Sequence, residues 1–146
     1  KLQDTNPGAA AGPLARIASG GELSRISLAI QVITASRATT PTVIFDEVDV
    51  GIGGATADAV GSLLQSLGTR TQVLCVTHLP QVAARGTHHF RAAKKSSGKE
   101  TSAGLERLDR KERVEELARM LGGRNLTART REHAEEMLET AQAGVG

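Results

Sequence analysis

Apolar residues recur along this chain with two different periods, and the alternation between them outlines the fold. Residues 1–16, with Pro7, Gly8, Gly12 and Pro13, read as an irregular leading segment. Leu23, Ile26, Ile30 and Ile33 then follow Ser19 at helical spacing, with Ser19 as a favoured N-cap. Pro41 breaks that helix, and Thr42-Val43-Ile44-Phe45 is a short β-branched run of the kind found in buried strands. After two acids and a turn rich in glycine (Gly51, Gly53, Gly54), a helix is predicted over 55–67, with Val60, Leu63, Leu64 and Leu67 on its inner face. The run Thr71–Val76 repeats the buried-strand pattern.

Two such strands joined through one helix form a βαβ unit, so the sheet is expected to be parallel and the fold class α/β. Beyond Pro80, residues 87–94 and 101–108 read as an antiparallel hairpin around Ser96-Ser97-Gly98. Asp109 with Glu112 has the spacing of a capping box, opening a helix with Val114, Leu117, Ala118 and Leu121 on one face and Gly122-Gly123 at its end. A last helix from Thr127 carries Ala134, Met137, Leu138 and Ala141. There is no internal repeat, and no composition shift divides the chain.

Composition narrows the functional classes. At 146 residues, 39% hydrophobic and 23% charged, the chain can bury a core without disulfides. Phe45 and Phe90 are the only aromatic residues, which argues against a base-stacking platform for single strands. A net charge of +2 is too small to establish nucleic-acid binding by itself. Cys75 stands alone, so no internal disulfide can form and a reducing, cytoplasmic compartment is expected. No apolar run approaches the length of a membrane span, so no membrane partner is expected. The chain opens at Lys1 without Met and reads as a piece of a longer protein.

Three strings could carry chemistry. Val43-Ile44-Phe45-Asp46-Glu47 places two carboxylates just past an apolar strand, at the carboxyl edge of a parallel sheet, where ligands bind in open α/β folds. In phosphate-loop ATPases the first such acid helps hold Mg²⁺ and the second handles the attacking water. Alone, the string equally describes a strand ending in a solvated acidic turn. Ser19-Gly20-Gly21-Glu22 opens a helix whose N–H groups and dipole favour a phosphate, although an ordinary N-cap is the commoner meaning of Ser-Gly-Gly. Thr77-His78 ends the second strand, from which the imidazole can reach the same edge as the acids. His88 and His89 read as structural or solvated, and no His/Cys cluster has the spacing of a zinc site. The order of the three strings, helix start then strand plus acids then strand plus His, is that of the second half of an ABC ATPase domain.

The longer strings Ala18-Ser19-Gly20-Gly21-Glu22-Leu23-Ser24-Arg25, Phe45-Asp46-Glu47-Val48-Asp49-Val50-Gly51-Ile52-Gly53-Gly54 and Thr77-His78-Leu79-Pro80-Gln81-Val82-Ala83 resemble the C-terminal part of the RecN family. These are bacterial proteins of DNA double-strand-break repair, related to the SMC ATPases. The resemblance runs from about Asn6-Pro7-Gly8 past Arg119-Met120-Leu121-Gly122-Gly123. It implies the C-terminal lobe of an ABC/SMC-type ATPase head: parallel strands flanked by helices, a β-hairpin and two C-terminal helices, over residues 1–146.

Carried onto this sequence, the family pattern makes Ser19, Gly20, Gly21 and Glu22 the signature motif, touching the γ-phosphate of ATP on the opposite head. Asp46 becomes the Walker B aspartate on the Mg²⁺ side and Glu47 the catalytic glutamate. Asp49 falls in the D-loop that links the two sites, and His78 is the switch histidine. Ala18 stands where many ABC proteins have Leu. No Gly-x-x-x-x-Gly-Lys-[Ser/Thr] occurs in the chain. The resemblance therefore implies a split head whose phosphate loop lies on an N-terminal lobe across a coiled coil.

Its partners are then that lobe of the same head, a second head in a homodimer, and DNA through the full-length protein, in the cytoplasm at the nucleoid. The lobe alone is expected to be inactive. Two other readings stay open. One is the nucleotide-binding domain of another ABC ATPase, such as a transporter, against which the Asp-Val-Gly-Ile-Gly-Gly run speaks. The other is a non-catalytic DNA or protein interaction module using Lys94, Lys95 and Lys99 of the hairpin against phosphates.

Overall fold

The structure is a computed structural model that describes residues 20–37, 40–46, 49, 51–97, 100–123 and 126–143, with the backbone alone at 20–25, 36–37, 95–97 and 100–101. Helix α1 (Gly20–Arg37) leads to strand β1 (Thr42–Phe45), helix α2 (Gly54–Gly68) and strand β2 (Gln72–Cys75). A short helix α3 (Pro80–Ala84) precedes the strands β3 (Phe90–Ser97) and β4 (Glu100–Arg107), and helices α4 (Arg110–Gly122) and α5 (Ala128–Ala143) complete the order.

β1 and β2 pair in parallel, Val43 beside Val73 and Phe45 beside Cys75. This is the βαβ unit that the two apolar runs predict. Hydrogen bonds close the pair at both ends: Gln72 N–H donates to the Pro41 carbonyl at 2.9 Å, and Val76 N–H to the Phe45 carbonyl at 2.9 Å. Because side chains alternate along a strand, Val43, Phe45, Val73 and Cys75 turn to one face and Ile44 and Leu74 to the other. The first face forms a core with Leu28 and Val32 of α1, Ala57, Val60, Leu64 and Leu67 of α2, and Val82 of α3. The second face is bare, with Ile44 69% and Val76 61% exposed.

Two helix faces differ from expectation. Among the α1 side chains described, those of residues 26–35, the buried ones are Leu28 and Val32, whereas Ile30 is 60% exposed and Ile33 is exposed as well; the Leu23 side chain lies outside the described residues. The helix is apolar around most of its circumference, so spacing alone could not select the side that meets the sheet. On α2, Leu63 is exposed, and Ala57 and Gly61 take the buried positions beside Val60, Leu64 and Leu67. Gly61 lies where α2 meets α3, and a Cβ there would approach the Gln81 carbonyl oxygen to 3.1 Å. Small residues, which carry little hydrophobic signal, allow that close approach.

A second core joins α3, α4 and α5 through Ala84, Leu117, Ala118, Ala134, Leu138 and Ala141. The capping box is present as the sequence predicts: Glu112 N–H donates to Asp109 Oδ1 at 2.8 Å, and Asp109 N–H to Glu112 Oε2 at 2.8 Å. Gly123, at φ 61°, follows the last turn of α4 in a conformation that residues with a Cβ rarely adopt. β3 and β4 form the expected antiparallel hairpin, in register from Phe90–Arg107 to Ser97–Glu100. No helix among the described residues is long and apolar enough to cross a membrane.

Candidate functional site

The parallel register sets the site. With Phe45 beside Cys75, whatever follows each strand emerges at the same carboxyl edge. Asp46, the next residue after β1, is exposed there. Thr77 and His78 follow β2 by two and three residues, at that same edge. Asp49 returns to it from the turn after β1, held partly by its own backbone, where the Ile52 N–H donates to the Asp49 carbonyl at 3.3 Å. Gly51, at φ 74°, and Gly54, at φ 51°, allow the reversal into α2.

Asp49 is the best-anchored acid of the edge. It is 4% exposed, and its Oδ2 accepts two hydrogen bonds, from Thr77 Oγ1 at 2.6 Å and from the His78 backbone N–H at 2.6 Å, and lies 3.0 Å from His78 Nδ1. Thr77 Oγ1 in turn accepts from the Leu79 N–H at 3.0 Å, so its own proton is free to go to Asp49. Burial by itself would push the Asp49 carboxyl up. The Thr77 hydroxyl, the His78 N–H and the nearby His78 ring outweigh it and hold the group below the ordinary carboxylate range. Asp49 is therefore a carboxylate in the folded chain. His78 is its opposite in exposure, with a side chain 74% open to solvent.

Cys75 lies half-buried on the core side of β2. Burial, followed by the charges of Asp49 and Asp46, pushes its thiol up to about 11, so it is a packing residue with little thiolate character. His88 is exposed and His89 half-buried. Of the other sequence-predicted residues, Gly20, Gly21 and Glu22 form the first turn of α1, while Ser19 and Glu47 lie outside the described residues. The structure thus brings Asp46, Asp49 and His78 together at one edge.

Sequence reasoning missed Thr77 as the bridge between Asp49 and the strand end. The only available signal was its place directly before His78. It also missed a charged cluster away from this edge. The Arg113 guanidinium donates to the carbonyls of Gly86 at 2.6 Å, Thr87 at 3.2 Å and Ala84 at 3.4 Å, closing the end of α3. Buried Glu116 accepts from Arg119 Nε at 3.1 Å and lies 3.7 Å from Arg91 Nη1 of the hairpin. Both charges sit on the inner side of α4, where a periodicity count expects apolar residues.

No family model matches the chain. The DNA repair protein RecN of Vibrio cholerae is 56% identical over 140 residues, covering 96% of this chain and 25% of that protein. RecN of Haemophilus influenzae is 57% identical over 127 residues, 87% of this chain and 23% of its own length. RecN of Streptomyces coelicolor is 49% identical over 138 residues. The chain thus spans about a quarter of the length of the relatives it matches. Among solved structures, one from work on ATP-driven dimerization and DNA-stimulated activation of SMC ATPases superposes with a TM-score of 0.63 at 17% identity, covering 81% of this chain and 70% of that one. The chain belongs to the RecN family, as a segment equal to about a quarter of those proteins, and it has the fold of an SMC ATPase head.

Proposed function

We propose that this chain is one lobe of the ATP-hydrolysing head of a RecN-like DNA repair protein, contributing the signature helix, the Walker B acids and the switch histidine to ATP held between two heads. The observation that carries the reading is the convergence of Asp46, Asp49 and His78 on the carboxyl edge of one parallel strand pair. Exposed Asp46 has the oxygen chemistry Mg²⁺ prefers and fits as one carboxylate ligand among phosphate oxygens and waters. Bound there, Mg²⁺ would neutralise charge on the transferred phosphoryl group. Glu47, next in sequence, would accept or orient the proton of the attacking water. His78, with its side chain exposed at the edge, would meet the γ-phosphate. The N-terminus of α1, with Gly20 and Gly21 in its first turn, would face phosphate on the opposite head and complete its site in trans.

The missing parts have a place to go. The chain carries no phosphate-loop motif, so the backbone nest and the lysine that hold β- and γ-phosphates must come from another segment. Parallel sheets are ordinarily covered on both faces. Here Ile44, Leu74 and Val76 leave one face bare, which supports docking of the remaining lobe of the same head. DNA would be bound through the complete protein, which is expected in the cytoplasm at the nucleoid.

Turnover in the full-length protein tests the reading. Glu47→Gln should leave ATP binding near normal and slow hydrolysis by about 10²-fold, the scale of losing a general base. ATP-bound head dimers should then accumulate. Unchanged hydrolysis in this variant would defeat the assignment.

A further inference from the structure

We infer that Asp49 acts within its own lobe as the positioning residue for His78, holding its backbone at the carboxyl edge and fixing the direction of the ring from the Nδ1 side. This deepens the proposed function and rests on it for the role of His78. It assigns Asp49 a task in cis, in place of a direct contact with nucleotide.

The geometry is specific. One oxygen, Asp49 Oδ2, accepts the backbone N–H of His78 at 2.6 Å and lies 3.0 Å from the Nδ1 of the same residue's ring. The other donor, Thr77 Oγ1, is itself fixed by the Leu79 N–H, so the carboxylate cannot rotate away from the ring without breaking bonds on both sides of His78. The contrast in burial gives the arrangement its direction: the acid is enclosed and the imidazole reaches into solvent. An exposed imidazole with no such anchor samples several rotamers, and ordering it on binding would cost conformational entropy.

A turnover cycle in the full-length protein tests this, using wild type, Asp49→Asn, His78→Ala and the double variant, with the crystal structure of the Asp49→Asn protein as an independent readout. Asn keeps the shape of the side chain and one acceptor oxygen, which limits damage to the fold. Asp49→Asn should lower kcat for ATP about tenfold, with KM within twofold of wild type, and should lower it no further once His78 is Ala. In the crystal structure the His78 ring should leave its wild-type direction or occupy more than one. An equal loss of kcat from Asp49→Asn in both backgrounds would show a general structural role and overturn the inference, as would a ring that stays in place. The two readings fail separately. If His78→Ala hydrolyses ATP at the wild-type rate, the proposed role of His78 falls, and the ring's position in the Asp49→Asn crystal still decides the anchor.

Discussion

The two cores of this chain are finished to different degrees. Around α4 and α5, Leu117, Ala118, Ala134 and Leu138 are completely enclosed, and the helices are further joined by ion pairs such as Arg131–Glu115 at 2.8 Å and Arg110–Glu139 at 3.1 Å. Around the β1–β2 pair, only one face of the sheet is covered, and Ile44, Leu74 and Val76 stand open beside the functional edge. The helical pair satisfies itself; the sheet leaves one face open. The residues proposed for chemistry lie on the unfinished side, where an incoming lobe would enclose them and exclude water.

The contrast predicts a graded response to substitution. Leu138→Ala removes a fully buried side chain from the finished core and should cost about 2–5 kcal/mol in denaturant unfolding. A loss below about 1 kcal/mol would mean that this core is looser than its burial indicates. Glu116→Gln comes next. Its carboxyl is held below the ordinary range chiefly by the hydrogen bond from Arg119, with the charges of Arg119, Arg91 and His89 adding and burial opposing. A depressed carboxylate adds stability above its unfolded pKa, and that contribution disappears as pH falls through the folded value. Wild type should therefore lose stability as pH drops below about 4.5, and Glu116→Gln, less stable at neutral pH by about 1–3 kcal/mol, should lose less over the same acid range. Parallel acid limbs in unfolding titrations would remove Glu116 from the account.

Ile44→Thr should have the smallest effect. On this chain alone it trims an exposed side chain and should change stability by no more than about 0.5 kcal/mol. In the complete head the same change should weaken the association of the two lobes, measured by co-purification of separately expressed halves. Unaltered association would mean that this face is not where the other lobe docks.

How much of this was legible in the sequence follows the same divide. α4 and α5 were readable because local rules decide them: a capping box at Asp109 and Glu112, a glycine stop, and one apolar stripe on each helix. The βαβ unit was readable because short apolar runs bounded by turn residues have few other uses. The buried side of α1 was not. Ile30 and Ile33 have the spacing of a core face, yet Leu28 and Val32 are inside, because the apolar ring around α1 offers two faces and the sequence does not say which meets the sheet in this chain. α3 went unread because five residues after a proline are too few to show a period. At the site, Asp46 and His78 were placed on the correct edge by strand order alone. The hold of Asp49 on His78 was invisible, since it joins residues 29 positions apart through a turn whose path no local pattern fixes.

The central claim is that this lobe holds half of a nucleotide site, and calorimetric titration with Mg²⁺-ATP tests it most directly. The 146-residue chain supplies acids and a histidine at the sheet edge without the nest and lysine that attract β- and γ-phosphates. Alone it should bind no tighter than the millimolar range, about 4 kcal/mol, and hydrolyse nothing above background. With the complementary lobe added, binding and turnover should both appear. Micromolar, Mg²⁺-dependent ATP binding by the chain on its own would contradict the account.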